Sequence, residues 1–340
     1  TTIEIIAIYL EVVMSEIKFY SREALPVEMH KVKIVQKLNL LPARQRLEKM
    51  KEAGFNTFGL HNIDIFMDML TDSGVNAMSD EMQSAMLRAD DAYAGSETFY
   101  RMNKKLEEIF GIKHLLPTHQ GRACEHIIAQ HFVKPGSVVI MNYHFTTSKA
   151  HVTRLGGRVE ELVKDEGLIV KSDLPFKGNI DLDKVKACIE REGADNIAFL
   201  RLEAGTNLIG GQPISYENMK EATELAKSYG ITTVLDASLL QDNLYFIKTR
   251  EESMKDKTIP EITRMVADLF DMIYFSGRKF GFGRGGGILI RDEKLFHEME
   301  DYVTMFEGFL TYGGMSVKEM EALIIGFEET MDLDIISQGP

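Results

Sequence analysis

From residue 113 onward, short apolar runs alternate with longer segments whose apolar residues recur at helical spacing. Runs rich in Val, Ile, Leu and aromatics, bounded by turn residues, read as buried strands. They predict strands at 113–117, 137–141, 158–163, 196–202, 231–236, 272–276 and 287–291. Between them the spacing predicts helices at 122–133, 181–191, 215–229, 258–268 and 293–306, and earlier ones at 43–53, 79–89 and 97–110. Local punctuation agrees: Gly230 ends one helix and Thr258-x-x-Glu261 is a capping box. Such alternation implies an α/β fold with a mostly parallel sheet between helices.

One stretch, Ile273 to Ile290, stands out. An apolar run meets Ser276-Gly277, then the cations Arg278 and Lys279, then a glycine-dense turn and a second apolar run. Lys279 is therefore expected at a strand end, facing a loop cavity. Partial desolvation beside another cation disfavours the ammonium and favours the neutral nucleophile that an imine-forming lysine needs. Taken alone, the stretch is equally an ordinary solvated turn. The run Gly281-Phe-Gly283-Arg-Gly-Gly286 also matches a dinucleotide fingerprint, but that motif must open a helix, and here a strand follows.

In open α/β sheets ligands collect beyond the carboxyl ends of the strands. Strand 113–117 runs into Gln120-Gly121-Arg122, where helix-opening amides, a glycine and an arginine would cradle phosphate; a plain strand-to-helix turn reads the same way. Phe145 follows strand 137–141 as an aromatic able to stack on a planar ring. Asn207 follows strand 196–202. Asp236 ends strand 231–236 as either a cap or the partner of a buried cation. One helical stretch is expected between Asp236 and the strand that leads to Lys279. Pyridoxal phosphate needs an imine lysine, an acid for its ring nitrogen and a phosphate cradle, and gains from a stacking aromatic. Lys279, Asp236, Gln120 to Arg122 and Phe145 supply this set together.

Charge narrows the partners. The 340 residues carry 39 Lys and Arg against 52 Asp and Glu, a net charge of −13, which disfavours nucleic acid and anionic membranes. The two cysteines are too few for a disulfide framework, which fits a reducing cytoplasm. The apolar start, TTIEIIAIYLEVV, has neither the basic flank of a signal peptide nor the length of a membrane span. Residues 1–13 read as a non-native leader.

The stretches GFNTF, LLTDSGVNAMSD, AYAGSETFY, PTHQGRACEH, NLIGGQPIS, NLYFIK and EGFLTYGGM resemble the aromatic amino acid β-eliminating lyases, which comprise tyrosine phenol-lyases and tryptophanases. The resemblance spans about residues 43–332. It implies a pyridoxal-phosphate enzyme of the aspartate-aminotransferase-like fold, a homodimer or homotetramer with shared active sites. It implies Lys279 as imine lysine and proton shuttle, and Asp236 as partner of the ring nitrogen. Phe145 falls to the stacking ring, and Gln120, Gly121, Arg122 and Ser276 to the phosphate. Asn207 falls beside the cofactor hydroxyl and substrate carboxylate, with Thr71 and Ser73 near that carboxylate. Tyr93, from a neighbouring subunit, matches the acid that helps expel the aromatic ring.

Departures accompany the match. Leu239 stands where the family has an arginine near the cofactor hydroxyl, and Arg278 replaces a lysine. Gly74, Asp91 and Arg284 fall around a potassium-type cation site, which Arg284 and the shorter Asp91 alter. Thr146 matches the phenol-lyases, where tryptophanases have aspartate, so tyrosine is the expected substrate and tryptophan the alternative. The resemblance divides the chain into an N-terminal segment (1–55), a large cofactor-binding domain (56–310) and the start of a small domain (311–340). The family's carboxylate-clamping arginine lies in the rest of that small domain. A cofactor-holding paralogue with little turnover is therefore the second reading.

Overall fold

The computed structural model describes residues 37–68, 78–90 and 92–338, with the backbone of Ile17–Lys18 (β1) and Ala24–Leu25 (β2). The chain forms two compact units, Thr1–Leu70 and Thr71–Pro340. In the first, β1 and β2 pair antiparallel and the helix Ala43–Glu52 starts after Pro42. Lys49 and Lys51 complement the helix dipole at its end, and Gly54 turns the chain out in the left-handed region.

The second unit is built on a seven-stranded sheet of order β3-β9-β8-β7-β6-β4-β5. Its strands are β3 (His114–Thr118), β4 (Val138–Met141), β5 (Arg158–Glu161), β6 (Ile197–Glu203), β7 (Thr233–Asp236), β8 (Met272–Ser276) and β9 (Gly286–Ile290). All run parallel except β9, which pairs antiparallel with both β8 and β3. The expected mostly parallel sheet is thus present, every predicted strand within a residue or two.

Alternate residues of β3, β4 and β7 feed two separate apolar cores. Val138, Ile140, Leu115 and Leu235 pack into one, and Val139, Met141, Leu116 and Val234 into the other. That is the period-2 geometry of strands covered on both faces. The helix Glu97–Phe110 starts at a Ser96 cap and stops at Gly111, whose φ of 68° suits glycine. The capping box at Thr258 and Glu261 forms reciprocally, at 3.3 and 2.7 Å.

Among the described residues four α-helices lie beyond the sequence expectation: Thr146–Arg154, Leu240–Arg250, Val317–Glu329 and Leu333–Ile336. Two helices, Leu240–Arg250 and Ile259–Ala267, therefore separate Asp236 from β8, where one was expected. The reason is burial of polar side chains. On Leu240–Arg250 the buried set includes Gln241 and Asn243 among Leu240, Leu244 and Ile247, which blurs the apolar period. Asn243 spends its amide on backbone: Oδ1 accepts from Gly205 (3.2 Å) and Ile214 (2.8 Å), and Nδ2 donates to Ile214 (3.0 Å). It thereby ties down both ends of the loop that carries Asn207.

Among the described residues no helix is long and apolar enough to cross a membrane.

Candidate active site

The carboxyl ends of β3, β4, β6, β7 and β8 lie along one edge of the sheet. Thr118, Gly286 and Ser276 are in register across β3, β9 and β8. The turn after β3 passes over Gly286 so tightly that a Cβ there would lie 2.7 Å from the Gln120 carbonyl carbon and 2.9 Å from the Gly121 amide. A Cβ on Gly121 would in turn lie 2.9 Å from Ser276 Cβ. Two glycines thus bring the N-terminus of the helix Gly121–Phe132 against the Ser276 side chain. Helix-opening amides, a hydroxyl and the exposed Arg122 form a cradle suited to phosphate.

Lys279 lies in the turn between β8 and β9. The Ser276 carbonyl accepts from the amides of Lys279 (3.1 Å) and Phe280 (3.0 Å), and the Gly277 amide donates to Gly285 (2.8 Å). Phe282 adopts φ 53°, a conformation unfavourable for a side chain of its size. Beneath the turn, Phe280 packs on Phe110, Phe275 and Phe327 at centroid distances of 5.7, 6.3 and 5.6 Å. Lys279 itself is only 8% exposed, and its Nζ lies 5.2 Å from the centroid of the Phe145 ring. Phe145 is held at the start of the helix Thr146–Arg154, where the Ser148 hydroxyl accepts from its amide at 3.1 Å.

Asp236 is 4% exposed and answers the question its sequence position left open: it is the partner of a buried cation, while the helix that follows starts at Leu239 without a side-chain cap. Oδ1 accepts from the Ser238 amide (3.0 Å), while Oδ2 accepts from the Tyr274 hydroxyl (2.7 Å) and the Arg201 guanidinium. Burial pushes its pKa up, but Arg201 and these hydrogen bonds outweigh burial and leave it below the usual carboxylate range. It is therefore an ionised buried acid, which is what a protonated ring nitrogen requires.

Arg201 and Glu203 were not among the residues singled out from sequence. Both belong to β6 and are buried, at 2% and 4% exposure. Arg201 reaches Glu203 at 3.3 Å and comes to 4.0 Å from Glu125. Glu203 also accepts from the Asn207 amide at 3.1 Å, which fixes Asn207 at the start of its short turn. Burial pushes Glu125 and Glu203 up to about 7, since one guanidinium cannot satisfy three carboxylates. The signal was available: two charged residues inside an apolar strand are rarely buried unless paired.

Other expected residues lie elsewhere. Tyr93 is exposed and packs against Phe309 (6.1 Å) and Tyr312 (5.3 Å). Arg284 is exposed and pairs with Glu319 at 3.5 Å. Thr146 is exposed beside Phe145, and Arg278 is half-buried beside Lys279. Leu239 is buried against Gly205, where a Cβ would lie 2.8 Å from its own. Thr71, Ser73, Gly74 and Asp91 lie outside the described residues.

A parallel sheet with a near-buried lysine, an ionised acid and a helix-end cradle at its carboxyl edge defines the aminotransferase-like class of pyridoxal-phosphate folds. Solved structures agree at the level of fold. A protein assigned as an aromatic amino acid beta-eliminating lyase/threonine aldolase from Exiguobacterium sp. 255-15 matches with TM-score 0.55 and 16% identity, over 76% of this chain and 68% of that one. Serine palmitoyltransferase of Sphingomonas wittichii matches with TM-score 0.52 and 11% identity, over 75% and 59%. Sequence is more specific. Residues 68–331 match the model of the beta-eliminating lyase family. The tyrosine phenol-lyases of Fusobacterium nucleatum and Clostridium tetani are each 41% identical to this chain, over 92% of it and 68% of their own length. The chain belongs to the beta-eliminating lyase family, and that family implies pyridoxal phosphate.

Proposed function

We propose that this protein uses pyridoxal phosphate to eliminate the aromatic ring of tyrosine, releasing phenol, pyruvate and ammonia. The observation that carries the reading is the convergence of Lys279, Phe145 and ionised Asp236 at neighbouring strand ends, in a chain 41% identical to tyrosine phenol-lyases. The cradle fits the cofactor's phosphate because Gly121 and Gly286 leave no side chain between the helix end and Ser276.

Gln120, Gly121, Arg122 and Ser276 would hold that phosphate, Phe145 would cover one ring face, and Asp236 would keep a proton on the ring nitrogen. When bound, pyridoxal phosphate supplies the electron sink that makes the substrate's Cα–H acidic and its β-substituent a leaving group. Lys279, near-buried and positioned by its closed turn, takes the proton from Cα. Asn207 orients the substrate carboxylate, with Thr71 and Ser73 beside it. Thr146 accepts or donates a hydrogen bond at the phenol oxygen, which discriminates tyrosine from tryptophan. Tyr93 delivers a proton to the ring carbon that departs, from a neighbouring copy of the chain. Arg278 lends positive charge beside Lys279.

With it we infer a cytoplasmic homodimer or homotetramer with shared active sites. The same reading also brings in a potassium-type cation near Gly74, Asp91 and Arg284; the fixed charge of Arg284 weakens that dependence. The test is direct. Pyridoxal phosphate added to the purified chain should give an absorbance band near ~420 nm that Lys279→Ala abolishes. Pyruvate should form from tyrosine faster than from tryptophan. No band, or faster turnover of tryptophan, would overturn the corresponding half of the proposal.

A further inference from the structure

Beneath the strand ends, one guanidinium serves three carboxylates, and the function proposed above uses only Asp236. Glu203, Asp236 and Tyr274 are in-register neighbours on β6, β7 and β8. Arg201, two residues before Glu203, shares its face of the sheet. The Arg201 guanidinium donates through Nε to the Tyr274 hydroxyl at 2.8 Å and through its terminal nitrogens to Glu203 at 3.3 Å and to Asp236. The Tyr274 hydroxyl donates to Asp236 at 2.7 Å, and Glu125 stands 3.3 Å from the same hydroxyl. Thr147 donates to the other oxygen of Glu125. The cavity touching Glu125, Arg201 and Tyr274 measures about 10 Å³, room for about one water.

Charge balance in this cluster therefore comes from its own members and from Lys279, whose charge also acts on Glu203. Burial costs every one of them, and the closest pair dominates. Asp236 has two donors on Oδ2, one a cation, and takes the ionised role; Glu125 and Glu203 absorb protons near neutrality. Oδ1, which accepts from the Ser238 amide, is the oxygen with capacity left for a ring N–H.

We propose that Arg201 is a positioning residue for the cofactor ring: with Tyr274 it grips Oδ2 of Asp236, holding that carboxylate ionised and oriented before the ring arrives. The inference rests on the pyridoxal-phosphate reading. Without the guanidinium, Asp236 would share a buried face with Glu203 and Glu125 and no compensating cation except Lys279. It would take up a proton, which must leave before the carboxylate can accept from a protonated ring nitrogen.

The test uses pyridoxine 5'-phosphate, which has the cofactor's ring and phosphate but an alcohol in place of the aldehyde, so Lys279 cannot bond to it. Its dissociation constant is measured by calorimetry near pH ~6 and near pH ~8, a span in which a buried carboxyl released from its cation titrates. Titration of the free ligand is common to all variants and cancels. Arg201→Met is expected to weaken binding by about tenfold or more near pH ~6 and to recover most of it near pH ~8. The double variant Arg201→Met with Glu203→Leu should show the same loss while packing well, since apolar replacement of buried polar partners together is often tolerated. Tyr274→Phe, which keeps the guanidinium, should show it in smaller measure, and Arg201→Lys should restore the unmodified profile in part. A loss equal at both pH values, as a merely structural role gives, would overturn the inference. So would profiles indistinguishable from that of the unmodified chain. Failure of the unmodified chain to bind the probe would remove the cofactor reading and this inference with it.

Discussion

Gly326 meets Gly281 so closely that a Cβ on Gly326 would overlap the Gly281 carbonyl oxygen and lie 2.7 Å from its carbon. Gly326 is in the interior of the helix Val317–Glu329, and Gly281 is two residues beyond Lys279. The contact docks that helix onto the lysine's turn. Propensity and packing oppose each other here: alanine at a helix interior is favoured over glycine by about 1 kcal/mol, while overpacking costs about 1–3 kcal/mol. Packing wins, because the obstacle is backbone. Gly326→Ala is expected to lower the melting temperature and to reduce formation of the Lys279 band with pyridoxal phosphate. A more stable variant with an undiminished band would show that the helix moves freely against the turn.

The phosphate cradle should be equally intolerant. Gly286→Ala places a methyl 2.9 Å from the Gly121 amide, at the helix end that receives the anion. Binding of pyridoxal phosphate should fall by at least about tenfold, the loss of one charge-assisted contact, while the weak binding of pyridoxal, which lacks the phosphate, changes little. Equal losses for the two would point to general collapse of the β3–β9 pairing instead.

The buried carboxyls set a pH dependence with a definite sign. Glu125 and Glu203 have folded pKa values pushed up to about 7 from 4.5, so between those values the native state binds more protons than the unfolded one. Stability contributed by their protonated forms is therefore full below about 4.5 and lost as pH rises through about 7, on the order of 3 kcal/mol per group. Asp236 acts oppositely: its lowered pKa contributes stability present above the usual carboxylate range and lost as pH falls through the folded value. Melting of the cofactor-free protein should weaken from about pH 5 to about pH 8, and Glu125→Gln, which keeps an acceptor for Thr147, should flatten that decline. An unchanged slope in the variant would assign the pH dependence to other groups.

Asn243 offers a prediction about the loop of Asn207. Its three hydrogen bonds go to buried backbone at Gly205 and Ile214. Asn243→Ala strands those groups, at roughly 1–3 kcal/mol each before relaxation. Local loosening should appear as faster amide exchange at Gly205 and Ile214 than within β6. Exchange unchanged at both would mean that the backbone holds itself.

Much of this architecture was legible in the chain because most of its strands are buried on both faces and read as largely apolar runs with sharp ends; the polar edge strand β5 is the exception. The strand-end logic then led to Phe145, Asp236 and Lys279, and with the helix that opens after β3 to Gln120. What stayed hidden is the polar interior. Arg201 and Glu203 occupy a strand whose other residues are apolar, and Gln241 and Asn243 interrupt the periodicity of their helix. In each case a charge or amide is buried because a partner far away in sequence satisfies it, and spacing along one segment carries no record of that partner. The helix Val317–Glu329 was missed although its Gly326 is what lets it reach the lysine's turn.

The reversed direction of β9 has a kinetic meaning. Asp236, Phe145 and the cradle reach the sheet edge through long crossovers, and each must close a large loop before its strand pairs. Lys279 instead rides the short connection between two adjacent antiparallel strands, β8 and β9, which can zip together from the turn outward. The nucleophile's own loop is the cheapest part of the site to assemble, so the lysine can be in place early while the groups that surround it are still being gathered from distant parts of the chain.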